Sequence, residues 1–315
     1  SQRYMNINLL SSAKTALRDA KRAAFVVVFA AICAVSGLAQ DEPQTPKTLF
    51  TYPQCPDTIT SMENRFNFVV QHFWDNCDLS KPIKDTELFY QAFTDYAQFF
   101  THCHKAYALT SIRDLLFKAR SNVKNFEQLI GMAEIAFWTP YSQYMSDMAY
   151  TEFAQAAVAN KQVNPELREH CQKTLDRIKA TPDSVYMGEM EYADVDGKKH
   201  KIKDIEAKSL LIFINSDEKC SIERLRLSTS SNLNRLIEMG YIKVLCLCND
   251  KYSREWAHNA ESYPDNWIVA ACPEFAEKYD VRLLPGFFQL DADKKMLSKN
   301  LDFNQTKDYF DNLKF

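Results

Sequence analysis

Glycine is the scarcest structural signal in this chain. Six occur in 315 residues, and only Gly131 falls between Gln40 and Met187. A stretch with so few positive-φ residues offers little for tight hairpins, so it reads as helix. The same scarcity excludes a glycine-rich phosphate loop, and no serine sits in a nucleophile elbow. No cysteine pair carries zinc-type spacing. Neither sign of charge dominates: 38 Lys and Arg stand against 41 Asp and Glu, for a net charge of -3. With both signs interspersed there is no basic stripe for a polyanion to follow, which argues against a nucleic acid partner. The apolar run Ala23 to Val35 is shorter than the roughly 20 residues a membrane-spanning helix needs.

What is present is apolar mass. The chain is 46% hydrophobic and 13% aromatic, enough for a large core and, at this length, for about two domains. Lys14, Arg18, Lys21 and Arg22 precede the apolar run, and Ser36-Gly37-Leu38-Ala39 follows it. That layout is a secretory signal, with cleavage expected after Ala39. A retained anchor would need a longer run, and lipidation at Cys33 would want a smaller residue than Ile32 before it. Membrane contact is therefore expected only through an uncleaved signal segment. Beyond Cys33 there are eight cysteines: Cys55, Cys77, Cys103, Cys171, Cys220, Cys246, Cys248 and Cys272. An even number in an oxidising compartment permits disulfides without requiring them. Many lie inside apolar patterns, where a buried free thiol is the plain expectation.

Four domains of sequence follow: a signal at 1–39, a proline-rich linker at 40–56, a helical domain at 57–182 and an α/β domain at 183–315. Ile59, Met62, Phe66, Val69 and Phe73 recur at helical steps, as do Phe89, Phe93, Tyr96, Phe100, Cys103 and Tyr107. Further amphipathic stretches run over 111–120, 126–137, 141–160 and 165–180, the last opened by Asn164 as N-cap and Pro165 at the first helical position. Short connections suit an antiparallel bundle. Aromatic residues at this spacing are expected in the core. His102-Cys103-His104 are consecutive helical positions about 100° apart, so they do not converge on one metal ion.

After Pro182 the period changes. Strands are expected over 185–192 and 200–205 around the turn Asp194-Val195-Asp196-Gly197. Two wholly apolar strands, 210–214 and 242–247, flank a helix over 220–239 that Gly240 ends. Strand, helix, strand of this kind implies a parallel pair with a right-handed crossover. A helix near 253–261, a strand near 267–271, a helix opened by Pro273, a hairpin over 287–298 and a closing helix from Asn304 complete a mixed sheet. Cys246 and Cys248, two apart on a strand, share a face and are expected to pack beneath a helix.

Phe213-Ile214-Asn215-Ser216-Asp217-Glu218-Lys219-Cys220-Ser221, at the turn from strand to helix, resembles thioredoxin-like proteins. So does Tyr279-Asp280-Val281-Arg282-Leu283-Leu284-Pro285-Gly286, which looks like that fold's cis-proline loop. The hairpin at Asp196-Gly197 is similar to the N-terminal extension of envelope thiol-disulfide oxidoreductases. Phe50-Thr51-Tyr52-Pro53, His72-Phe73-Trp74-Asp75 and Tyr263-Pro264-Asp265-Asn266-Trp267 are similar to exported Gram-negative proteins in which a helical domain of unknown function precedes a thioredoxin-like domain.

The resemblance implies an all-α bundle followed by a three-layer α/β/α thioredoxin-like domain, exported to the periplasm or cell envelope of a Gram-negative bacterium. It implies a dithiol at the helix start, where the dipole and free N–H groups stabilise a thiolate. Counted without a gap, the two thiols fall on Glu218 and Ser221, and Cys220 lies between them beside Lys219, so the motif is degenerate. Leu284 and Pro285 would dock an extended peptide. No cofactor and no metal are implied. Three functions stay open: a scaffold binding a protein or peptide partner, a monothiol oxidoreductase or isomerase using an exposed Cys220, and a structural or ligand-binding protein with an aromatic groove.

Overall fold

The computed structural model describes residues 47–140, 142–215 and 220–312. The signal-like segment, Asp217, Glu218 and Lys219 lie outside them. The chain packs as two compact units that divide between Gln172 and Lys173.

The first unit is helical: α1 (Met62–His72), α2 (Thr86–Gln98), α3 (Lys105–Ala119), α4 (Val123–Ala133), α5 (Asp147–Ala159) and the start of α6 (Pro165–Ala180). Local chemistry sets the boundaries. Asp85, Asn122 and Ser146 cap α2, α4 and α5 by accepting from the N–H of Leu88, Asn125 and Ala149, which satisfies donors that a helix start leaves open. Asn164 accepts from Glu166 N–H at 2.8 Å at the head of α6.

The aromatic stripe from Phe89 to Tyr107, expected as one helix, is two. After α2 the chain tightens into a 3-10 turn at Phe99–Thr101, and His104 is extended, with its ring nitrogen accepting from Ala106 N–H. Asn67 takes the His104 N–H at 2.7 Å. The helix expected over 141–160 starts instead at Asp147, where Ser146 offers a cap and Tyr144 does not. Most of the aromatic residues are core: Phe73, Phe89, Phe93, Tyr96, Phe137, Tyr150 and Phe153 are all fully buried, whereas Tyr107 at the end of the stripe is exposed. Phe93 meets Phe137 and Phe153 edge-on, with centroids 6.0 and 5.7 Å apart. Tyr52 donates to the buried Asp95 at 2.6 Å and so ties the extended 49–53 segment to α2.

The second unit is built on a seven-stranded sheet with the order β2-β1-β5-β4-β3-β6-β7. The strands are β1 (Glu191–Ala193), β2 (Lys199–Lys201), β3 (Ser209–Asn215), β4 (Ile242–Cys248), β5 (Ile268–Ala271), β6 (Gly286–Asp291) and β7 (Met296–Leu301). β3, β4 and β5 are parallel, and the remaining pairs are antiparallel. The helices are α7 (Ser221–Ser228), α8 (Ser231–Glu238), α9 (Arg254–Ala260), α10 (Pro273–Lys278) and α11 (Phe303–Asn312).

Strand alternation divides the core in two. Leu210, Ile212, Ile214, Leu245, Leu247 and Phe288 face one layer, with Phe275 of α10 above them. Leu211, Phe213, Val244, Cys246, Cys248 and Phe287 face the other, beneath Leu227, Leu233, Trp256 and Phe310 from α7, α8, α9 and α11. β1 and β2 are shorter than expected, because Asp194 folds the turn on itself: its Oδ1 accepts from both Asp196 N–H and Lys198 N–H. Gly197 supplies the positive φ of +78° at that turn. The single helix expected over 220–239 is broken between α7 and α8. Ser230 is extended and accepts from Leu233 N–H, and the Ser228 and Thr229 hydroxyls turn back onto Leu225 O, a local competition that favours a break.

Candidate functional site

β3 is buried at every position and its last residue is Asn215. The chain resumes at Cys220, the N-cap of α7. Cys220 is 0% exposed, which corrects the exposed monothiol. The reason is helical phase: Cys220 and Leu227 are seven residues apart, nearly two full turns, so both share the inward face. The outward face carries Ser221, Ile222 and Leu225, with the last two 68% and 65% exposed.

Gly286 pairs with Ile214, so Pro285 lies beside the carboxyl end of β3, the end from which the chain runs to Cys220. The Leu284–Pro285 bond is cis, and Leu284 is 44% exposed. A buried polar network anchors the strand of chain before it. Asp280 and Arg282 form a two-pronged ion pair, Nε to Oδ1 at 2.9 Å and Nη2 to Oδ2 at 2.5 Å, with side chains 0% and 1% exposed. Lys299 adds a second cation at 3.1 Å. Asn300 donates to Asp280 O and accepts from Arg282 N–H. Thr181, just past the end of α6, accepts from Asp280 N–H at 2.9 Å. Asp280 and Arg282 lie inside the Tyr279–Gly286 motif, whose likeness to a cis-proline loop assigns them no such role. Their spacing, an acid two residues before an arginine, was the available signal.

Cys246 and Cys248 pack under helices as expected, but Cys248 sits among donors. Asn215 Nδ2 lies 3.6 Å from its sulfur and Tyr263 OH 3.9 Å from it. Asn215 also donates to Tyr263 OH, and Arg224 lies over the Tyr263 ring at 4.2 Å. The hydrogen bond from Cys246, with those from Asn215, Trp256 and Tyr263, outweighs burial and holds the Cys248 thiol below its ordinary value. Burial pushes Cys77, Cys103, Cys171 and Cys272 the other way, each up to about 11. None of the eight described cysteines is in a disulfide. No group of three or more His, Cys, Asp or Glu among the described residues could hold a metal ion, and none of the described helices is long and apolar enough to cross a membrane.

The second unit has the thioredoxin-like fold, and a helical unit precedes it in the chain. The chain is similar to a thioredoxin-like protein from Bacteroides caccae, at 21% identity and a TM-score of 0.68, over 85% of this chain and 100% of that one. It is similar in part to the C-terminal domain of an uncharacterized protein from Bacteroides fragilis, at 22% identity over 42% of this chain and 99% of that one, with a TM-score of 0.39. The thioredoxin domain of a thiol-disulfide oxidoreductase from Bacteroides vulgatus matches at 16% identity over 41% of this chain and 99% of that one, with a TM-score of 0.35. The sequence family described as "Domain of unknown function (DUF5106)" matches residues 34–180. No curated protein matches the chain.

Proposed function

We propose that this chain is an exported, cell-envelope thioredoxin-like protein with a degenerate dithiol site, which holds a protein or peptide partner rather than exchanging disulfides. The observation that carries this reading is the burial of Cys220 at the N-cap of α7, with a serine exposed beside it. Disulfide exchange requires a thiolate to reach a sulfur in line. A fully covered sulfur does not make that approach, which argues against the monothiol oxidoreductase or isomerase. The partner-binding surface would be Leu284 and Pro285 beside the end of β3, extended by the outward face of α7. The helical unit acts as scaffold. Export rests on the basic, apolar and small-residue order of the first 39 residues.

Restoring the missing thiols tests the reading. Glu218→Cys combined with Ser221→Cys is expected to create disulfide reductase activity, followed as reduction of insulin by dithiothreitol. A double variant that folds but stays inert would count against a decayed dithiol site at these positions.

A further inference from the structure

β1 leaves the sheet early. It pairs with β5 at one position, Ala193 with Ala271, and then Asp194 folds the chain into its turn, with its N–H donating to Lys198 O. In an antiparallel pair the next residues to exchange both backbone bonds would be Val195 and Val269, two positions further along each strand. That pair is not made. The direction of the unused groups follows from the other side of β5. Cys272 N–H donates to Cys248 O of β4 at 3.0 Å, and successive residues of a strand present their backbone groups to opposite sides. Ile268, Ala270 and Cys272 therefore serve β4, whereas Val269 and Ala271 face β1. Val269 holds an N–H and a C=O toward the space that β1 vacates, and it is half-buried, where an unpaired backbone group is costly.

That space is a cleft of about 660 Å³, lined by Val195 and Asp196 of the turn, Tyr252 and Ala257 from α9 and its approach, and Ile268 and Val269 of β5. The turn meets Tyr252 at Gly197, where a Cβ would stand 2.8 Å from the ring. Val195 and Tyr252 are each 41% exposed, large apolar surface left open to solvent. Trp267 also lines the cleft; it is 6% exposed, and its indole N–H has no acceptor among the described residues. Two donors without acceptors and an acceptor without a donor are what an extended peptide backbone satisfies. Charge on the rim selects the side chains. His200 takes up Asp194 at 2.6 Å and His258 takes up Glu261 at 3.5 Å. Asp196 and Asp265 remain, with Arg254 opposite them, so the rim is net negative.

We propose that this cleft is a second docking site, where a partner protein lays a short extended segment with basic side chains along β5 as an added strand. One residue of the segment exchanges two backbone bonds with Val269, at a Cα separation of about 5.5 Å. Its apolar side chains cover Val195 and Tyr252, and its lysine or arginine side chains meet Asp196 and Asp265. Backbone pairing supplies affinity in this mode and the side chains supply choice. The site is separate from Leu284, Pro285 and the outward face of α7, and does not depend on what those bind.

The test uses the native full-length protein and a fluorescein-labelled, capped hexapeptide that alternates lysine with valine, with binding followed by anisotropy. This peptide is expected to bind about tenfold more tightly than its glutamate–valine counterpart, by a margin that shrinks as salt is added. Asp196→Lys combined with Asp265→Lys changes two exposed loop side chains and should weaken the lysine–valine peptide by about tenfold. Hydrogen exchange on the native protein locates the contact: the bound peptide should slow the Val269 amide and leave that of Leu284 unchanged. Three results would each overturn the proposal in native protein, whatever the variant does. They are no binding up to about 1 mM peptide, equal binding by a lysine–valine peptide methylated on every backbone nitrogen, and protection at Leu284 without protection at Val269.

Discussion

Asp280 carries a carboxylate with no exposed surface into a site where Arg282 meets it with two hydrogen bonds. Burying two charges costs several kcal/mol per ion, and attraction repays it only while both partners remain. Asp280→Ala leaves Arg282 buried without its carboxylate and is expected to cost about 3–5 kcal/mol of stability, read from urea unfolding. Replacing both residues by apolar ones of similar volume, Asp280→Leu with Arg282→Met, should cost much less. Equal losses in the single and double variants would mean that the network stabilises by shape rather than by charge pairing. At this scale the sequence is legible as motif and silent on role. Leu284-Pro285 could be read as the exposed end of a loop, but nothing local in Asp280 or Lys299 says that they meet, because their contact spans 19 residues of chain. Cys220 was misread for a related reason. Its place at a helix start is a local fact, whereas its burial depends on the phase of Leu227 against the sheet.

Elements were legible where periodicity was long and blurred where a single polar side chain decided the boundary. The two apolar strands of the sheet centre, β3 and β4, and the helix opened by Pro273 follow from pattern alone. The break between α7 and α8 does not, because no proline or glycine marks it and only the hydroxyls of Ser228, Thr229 and Ser230 redirect the backbone. The inward turn of Cys220 also bears on how the motif aligns. Cys220 would take a motif place only through a shift of one residue that paired it with position 217. Glu218→Cys with Ser221→Cys is expected to gain more insulin reductase activity than Asp217→Cys, a single substitution that makes a Cys-x-x-Cys ending at Cys220. The opposite order would establish the shifted alignment.

On the scale of the molecule, a helical unit and a thioredoxin-like unit are each closed by their own core. The first is held by aromatic contacts in which Phe93 meets Phe137 and Phe153 edge-on while those two rings stack, the second by two apolar layers on either side of the sheet. This division was legible from the near absence of glycine before Met187 and the change from helical to strand period after Pro182. Polar interactions across large sequence distances, such as Thr181 with Asp280, were not. We propose that the thioredoxin frame persists here without exchange at the motif. It is tested most directly by turnover of a protein disulfide with the native chain and with Cys220→Ser. The two should be alike and indistinguishable from the uncatalysed rate. Appreciable native turnover that disappears in Cys220→Ser would contradict the account.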